Sequence, residues 1–103
     1  VGVAENNEST PVVTLSQNYP NPMRNSTTIF YFIPNEAKNS RINIYDISGR
    51  LVRTIKKTGK EVGYHRVVWD GQDNSGKKVA NGVYFYKIKA GDYTITRKMI
   101  VVR

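Results

Sequence analysis

The sequence predicts an all-β protein, a Greek-key β-sandwich of about seven antiparallel strands. Three observations carry this expectation. Apolar residues recur with period two in short runs, the pattern of strands buried on one face. Gly, Pro, Asn and Asp separate these runs at roughly eight- to twelve-residue intervals. Seven Tyr, three Phe and one Trp stand beside many Val and Ile and few Leu and Ala, a balance that favours strands, and no window carries the apolar stripe of an amphipathic helix. At 103 residues the chain is one domain with room for a core of its own.

Residues 1–11 are small, polar and locally acidic without periodicity, and read as a linker tethering the sandwich, 12–103, to something on its N-terminal side. Val12 to Gln17 is a short first strand. Asn18-Tyr19-Pro20-Asn21-Pro22 then stops it, because Pro fixes φ and lacks an amide donor; such a segment lies along a sheet edge or crosses between sheets. Thr28 to Ile33 places Ile29, Tyr31 and Ile33 on one face and Phe30 and Phe32 on the other, as in a central strand. Residues 34–39 are a loop. Ser40 to Asp46 points Ile42 and Ile44 inward, and Asp46-Ile47-Ser48-Gly49 turns the chain into a partner strand, Arg50 to Ile55. Residues 56–61 are a charged loop which, with Arg50 and Arg53, forms the densest basic cluster.

Gly63 to Gly71 and Asn81 to Ile88 flank a turn-rich connection and read as a central hairpin. His65, Val67 and Trp69 alternate on the first run, Tyr84, Tyr86 and Ile88 on the second, with Trp69 expected between the sheets. Ile42, Ile44, Val67, Trp69, Tyr84 and Tyr86 are the candidate core. After an Ala90-Gly91-Asp92 turn, the last strand runs from Tyr93 to Arg103 with Tyr93, Ile95, Met99 and Val101 on one face, interrupted by Arg97. Its end, Met99 to Val102, is apolar on both faces, unlike the charged or Pro-bearing edges that natural sheets use against unwanted pairing. Either this strand lies inside a sheet or a partner reads it.

Sixteen Lys and Arg against eight Asp and Glu give a net charge of +8. That favours encounters with phosphate or acidic polysaccharide, so an anionic surface glycan is a candidate partner; a solvated basic surface that keeps a β-protein soluble is the plainer account. Without Cys there is no disulfide, thiolate metal site or Cys nucleophile. The single histidine, His65, lacks companions at metal-ligand spacing, no Ser occupies a Gly-x-Ser-x-Gly elbow, and Asp70, Asp73 and Asn74 lack the spacing of a calcium loop. No carboxylate pair stands out as an acid–base dyad. The expectation is a non-catalytic domain without metal or cofactor. Alternating tyrosines in a strand are ordinary core, and the RNA-recognition signature is absent, so no nucleic-acid partner is expected.

Four segments, in order, resemble the C-terminal sorting domains (type A) of type IX secretion, which are related to the Ig-like domain of flagellar hook-scaffold proteins. Leu15-Ser16-Gln17-Asn18-Tyr19-Pro20-Asn21-Pro22 resembles the family's opening, with Met23-Arg24-Asn25 where Phe-Asn-Pro is usual. Ile44 to Val52 is similar to its middle hairpin, Gly63 through Tyr86 to its Trp-Asp-Gly and Gly-x-Tyr segments, and Lys98-Met99-Ile100-Val101 to its terminal Lys-x-x-Val element. The resemblance implies an Ig-like sandwich that directs a covalently linked upstream parent protein across the outer membrane to the cell surface. It implies as partners the outer-membrane secretion machinery and a surface protease cutting in or before residues 1–11. The residues it assigns to signal recognition are Gly82, Tyr84, Lys98, Met99, Ile100, Val101, Val102 and Arg103, with β-strand addition as a physical mode of capture. The alternatives are an Ig-like surface spacer, a carbohydrate-contacting accessory module of a secreted hydrolase, or a scaffold interaction domain. An exposed aromatic row beside polar groups would favour sugar binding.

Overall fold

The computed structural model describes residues 12–34, 40–56 and 62–103. The expected linker and the loops over 35–39 and 57–61 lie outside the described residues. Seven strands form: β1 (Thr14–Leu15), β2 (Thr27–Ile33), β3 (Arg41–Asp46), β4 (Leu51–Lys56), β5 (Gly63–Trp69), β6 (Gly82–Ala90) and β7 (Tyr93–Val101). They make two antiparallel sheets, a three-stranded one in the order β1-β2-β5 and a four-stranded one in the order β4-β3-β6-β7. The all-β sandwich read from the periodicity is therefore the fold.

The period-two pattern sets which residues meet between the sheets. Ile29, Tyr31 and Ile33 from β2, Val67 and Trp69 from β5, Ile42 and Ile44 from β3, Tyr84, Tyr86 and Ile88 from β6, and Met99 and Val101 from β7 are all buried. Trp69 is fully buried and meets Tyr84 of the opposite sheet edge-on, with ring centroids 6.0 Å apart, a favoured geometry for aromatic pairs. Its indole N–H donates to the Gln72 carbonyl at 2.9 Å, so burying the ring leaves no orphaned donor.

Three expectations need correction. The runs around Trp69 and Tyr84 are not a hairpin: β5 pairs with β2, whereas β6 pairs with β3 and β7. The twelve-residue connection 70–81 crosses from one sheet to the other, which pattern and spacing alone could not distinguish from a long hairpin loop. The first strand shrinks to Thr14–Leu15; beyond it only Ser16 and Tyr19 keep backbone bonds to β2 before the chain crosses. The end of the last strand is also not bare. β7 is an edge strand, but residues 17–23 lie along the end of it.

The segment Asn18 to Pro22, whose prolines exclude it from a ladder, makes the crossing at this edge. Tyr19 exchanges two backbone hydrogen bonds with Thr28 of β2, of 2.9 and 2.8 Å. Four residues on, Met23 bridges Val101 in parallel, its amide donating to the Ile100 carbonyl and its carbonyl accepting from the Val102 amide. At the other edge of the same sheet, Asn74 from the 70–81 crossing donates its amide to the Val52 carbonyl at 2.9 Å and accepts the Thr54 amide on its side-chain oxygen at 3.1 Å. Both edges of the four-stranded sheet are thus partly capped by irregular segments, one of the means by which β-proteins block unwanted pairing.

Candidate functional site

The segments carrying the resemblance, Leu15–Pro22, Gly82–Tyr84 and Lys98–Arg103, come together at this capped edge. Gln17 donates its side-chain amide to the Lys98 carbonyl at 2.8 Å, and the Asn21 carboxamide oxygen accepts the Ile100 amide at 2.9 Å. These partners are 81 and 79 residues apart in sequence. Arg97, which interrupts the apolar face of β7, donates from Nε to the Leu15 carbonyl, so the interruption ties β7 to β1.

A buried polar cluster anchors the crossing segment. Asn18 is buried; its backbone amide donates to the Tyr86 hydroxyl at 2.8 Å, and that hydroxyl donates to the Ser16 carbonyl at 2.6 Å. The Asn18 carboxamide accepts from Gln17 at 2.7 Å and donates to the buried Thr27 hydroxyl at 3.0 Å, which in turn donates to the Pro20 carbonyl at 2.9 Å. Burial pushes the Tyr86 phenol above its ordinary pKa, opposed by the Asn18 hydrogen bond and the Arg97 charge. The phenol stays a neutral donor and acceptor across the physiological range.

The eight residues assigned to recognition divide by exposure. Tyr84, Met99 and Val101 are buried, whereas Lys98, Ile100, Val102 and Arg103 are exposed. Gly82 pairs with Val101 at φ +150°, with no neighbouring atom where a Cβ would project; the backbone conformation, not crowding, calls for glycine there. Tyr84 donates its hydroxyl to the Ala80 carbonyl four residues earlier at 2.6 Å, so Gly-x-Tyr here builds a local corner. Arg103 is clamped by Asn81, whose carboxamide oxygen accepts the Arg103 amide at 3.0 Å, and its guanidinium donates to the Val79 carbonyl.

A cleft of about 650 Å³ lies beside this corner, lined by residues including Asp46, Arg50, Asp73, Lys77 and Tyr84. Two turns of one design frame it, Asp46-x-Ser48-Gly49-Arg50 and Asp73-x-Ser75-Gly76-Lys77. In each, one aspartate oxygen accepts from the serine amide, the serine hydroxyl and the amide four residues on. In each, the glycine has φ near +90° and donates its amide to the aspartate carbonyl. The shared Asp-x-Ser-Gly-Arg/Lys spacing is the sequence signal for this pair. The Ser48 hydroxyl first, then the Arg50 amide, hold the Asp46 carboxyl down at about 2; Ser75 and the Lys77 amide lower Asp73 likewise. Carboxylates committed to their own turns and ionised at neutral pH are poor proton donors. Among the described residues, no three of His, Cys, Asp or Glu gather as a metal site.

Arg50 meets Asp46 at 3.3 Å and Arg53 meets Asp70 at 3.4 Å; the loop with which they were expected to form a basic cluster lies, over 57–61, outside the described residues. On the outer face of the three-stranded sheet Phe30 and Tyr64 are exposed. The Phe32 and Tyr64 rings lie 4.7 Å apart but inclined at 45°, so they offer no common plane to a sugar ring.

This two-sheet sandwich, with its crossing segments and cornered tyrosine, is an Ig-like module. Residues 23–96 match the model of the FlgD Ig-like domain, and the chain belongs to that family. Among solved structures it is similar to dimeric latent PorU from Porphyromonas gingivalis, at 30% identity and TM-score 0.66 over 91% of this chain and 10% of PorU. It is similar to FlgD from P. aeruginosa at 24% identity and TM-score 0.61, covering 73% of this chain and 61% of FlgD. It also resembles PorZ, a surface component of the P. gingivalis type IX secretion system, at 23% identity and TM-score 0.59 over 99% of this chain and 12% of PorZ. The chain therefore spans less than two thirds of each of these proteins, and the likenesses to FlgD and PorZ concern the fold. No curated protein matches it.

Proposed function

We propose that this domain is a non-catalytic sorting module of type IX secretion, carried by a larger parent protein that it directs across the outer membrane to the cell surface. The observation supporting this is the meeting of the two outer motifs of the resemblance: residues 15–22 and 98–103 are remote in sequence, yet Gln17, Asn21 and Met23 bind directly to Lys98, Ile100 and Val102. The likeness to PorU over nearly the whole chain and the occurrence of this fold in a secretion component, PorZ, agree with it. In this reading the signal is a folded edge. Tyr84, Met99 and Val101 hold it in shape from within, while Lys98, Ile100, Val102 and Arg103 present the surface that the export machinery contacts. Residues 1–11 serve as the linker, and a surface protease cuts in or before it.

The test follows from that division. Truncation before Lys98 would remove Met99 and Val101 from the core and unfold the domain, and Met99→Ala alone would cost about 2–5 kcal/mol. Residues 1–103 are instead fused behind a periplasm-exported fluorescent protein in a bacterium with a type IX machine. They are compared with a Lys98→Ala, Val102→Ser variant whose buried residues are intact. The unaltered fusion should reach the surface and the variant should remain folded in the periplasm. Equal surface delivery of both would remove the signal from these side chains; retention of both, with the domain folded, would refute the export reading.

A further inference from the structure

We propose that the outer face of the four-stranded sheet binds an acidic polysaccharide. Register fixes what this face displays. In β3 the side chains of Ile42 and Ile44 enter the core, which places Arg41, Asn43 and Tyr45 outward; in β6 the same alternation places Val83, Phe85, Lys87 and Lys89 outward, and in β7 Thr94, Thr96, Lys98 and Ile100. Arg41 is directly opposite Lys89, Asn43 opposite Lys87, Tyr45 opposite Phe85, and Phe85 opposite Lys98. Four cations thus share one surface across three adjacent strands, at spacings of about 5 Å between strands and ~6.8 Å along them. None of the described outward positions on the four strands is acidic.

This is not how a merely soluble surface is built. Like charges directly opposite on neighbouring strands oppose folding, and the usual remedy is to intersperse both signs. Elsewhere the chain does so, pairing Arg50 with Asp46 and Arg53 with Asp70. Here, among the described residues, no ion pair forms at Arg41 or Lys89, and an anionic ligand would supply a counter-charge. Beside the cations lie Thr94 and Thr96, opposite Lys89 and Lys87, whose hydroxyls suit sugar hydroxyl groups, and Asn43, whose side-chain amide donates to the Tyr45 hydroxyl at 3.2 Å. Single-stranded nucleic acid fits less well, because base stacking needs open aromatic faces, and Lys87 Nζ already sits 5.2 Å from the centre of the Tyr45 ring. This inference is independent of the export reading.

The decisive experiment titrates the domain with polygalacturonate at 0.15 M salt by calorimetry, with neutral dextran, a single-stranded DNA oligonucleotide and phosphatidylglycerol vesicles as comparators. Two equally charged triple variants are measured beside it: Arg41→Gln, Lys87→Gln, Lys89→Gln on the face, and Arg24→Gln, Lys77→Gln, Lys78→Gln away from it. The expected result is polygalacturonate binding that weakens about tenfold or more in the face variant, stays within about twofold in the other, and is absent with dextran. Equal weakening in both variants would reduce the effect to net charge and overturn the proposal. So would absence of polygalacturonate binding, or tighter binding of the DNA or the vesicles.

Discussion

Replacing Tyr86 by Phe removes one oxygen from the core and tests how the crossing segment is held. The phenol accepts the Asn18 amide at 2.8 Å and donates to the Ser16 carbonyl at 2.6 Å. Asn18 is only 2% exposed, so its N–H would be left without water or partner, while Ser16 is half-buried and its carbonyl can recover a solvent bond. A buried donor left unsatisfied costs about 1–3 kcal/mol. At ~4–8 °C per kcal/mol for a domain of this size, a loss near 2 kcal/mol lowers Tm by roughly 8–16 °C. Tyr84→Phe is the matched control: it removes one hydroxyl bond, to the carbonyl of exposed Ala80, and should cost only about 0.5–1.5 kcal/mol. Scanning calorimetry measures both, and hydrogen exchange at the Asn18 amide locates the effect. The raised Tyr86 pKa adds a sign: its neutral form is favoured by folding, so that contribution is present below the unfolded value of about 10 and fades as pH rises through the folded one. Tyr86→Phe should therefore flatten part of the alkaline loss. Equal costs in the two variants, or unchanged exchange at Asn18, would refute the claim that the phenol anchors this segment.

The twin aspartate turns predict an acid limb. Because Asp46 and Asp73 are lowered in the folded state, their stabilisation is present above the unfolded carboxylate value of about 3.9 and is lost as pH falls below it, for Asp46 toward about 2. Urea midpoints measured against pH should fall across this window, and Asp46→Asn with Asp73→Asn should lower the neutral plateau and flatten the fall. At the sheet edge, Gln17→Ala with Asn21→Ala removes the side-chain bonds to Lys98 and Ile100, at about 0.5–1.5 kcal/mol each. Hydrogen exchange at the Ile100 amide should accelerate while that in the middle of β6 stays protected; uniform acceleration would mean that the edge is not a separate unit.

Alternation made most of the fold legible, because it records which side of a strand meets the core. Strands β2, β3 and β6 fall where Ile29 to Ile33, Ile42 to Ile44 and Tyr84 to Ile88 alternate, and Pro20 and Pro22 mark a crossing. Pairing was less legible, since Trp69 and Tyr84 alternate identically whether their strands are neighbours in one sheet or faces of two. The surfaces were least legible. Clustering along the sequence shows only charges that are close in the chain, whereas Arg41, Lys87, Lys89 and Lys98 become neighbours only once register is known. The buried cluster of Asn18, Thr27 and Tyr86 joins residues far apart in the chain. Its one local cue was an Asn placed just before the Pro-rich turn.

The capped edge also constrains how the exposed residues of β7 could be read. In an antiparallel ladder, amide and carbonyl of one residue point the same way, alternating along the strand. Ile100 points both toward the crossing segment, as do the Lys98 carbonyl and the Val102 amide, so the same alternation aims Thr94 and Thr96 at the open side. A strand adding to β7 would meet free partners only over its first half, up to about Arg97, and could continue past Lys98 only by displacing Gln17 to Met23. That segment is held by Asn18 and Tyr86 inside the core, so peeling it away sacrifices the bonds that Tyr86→Phe is designed to weigh. Recognition through the outward side chains of Lys98, Ile100 and Val102 leaves those bonds in place. If export proceeds through strand addition instead, Tyr86→Phe and Gln17→Ala should speed it by loosening the cap; if the folded edge is what is read, both should slow it.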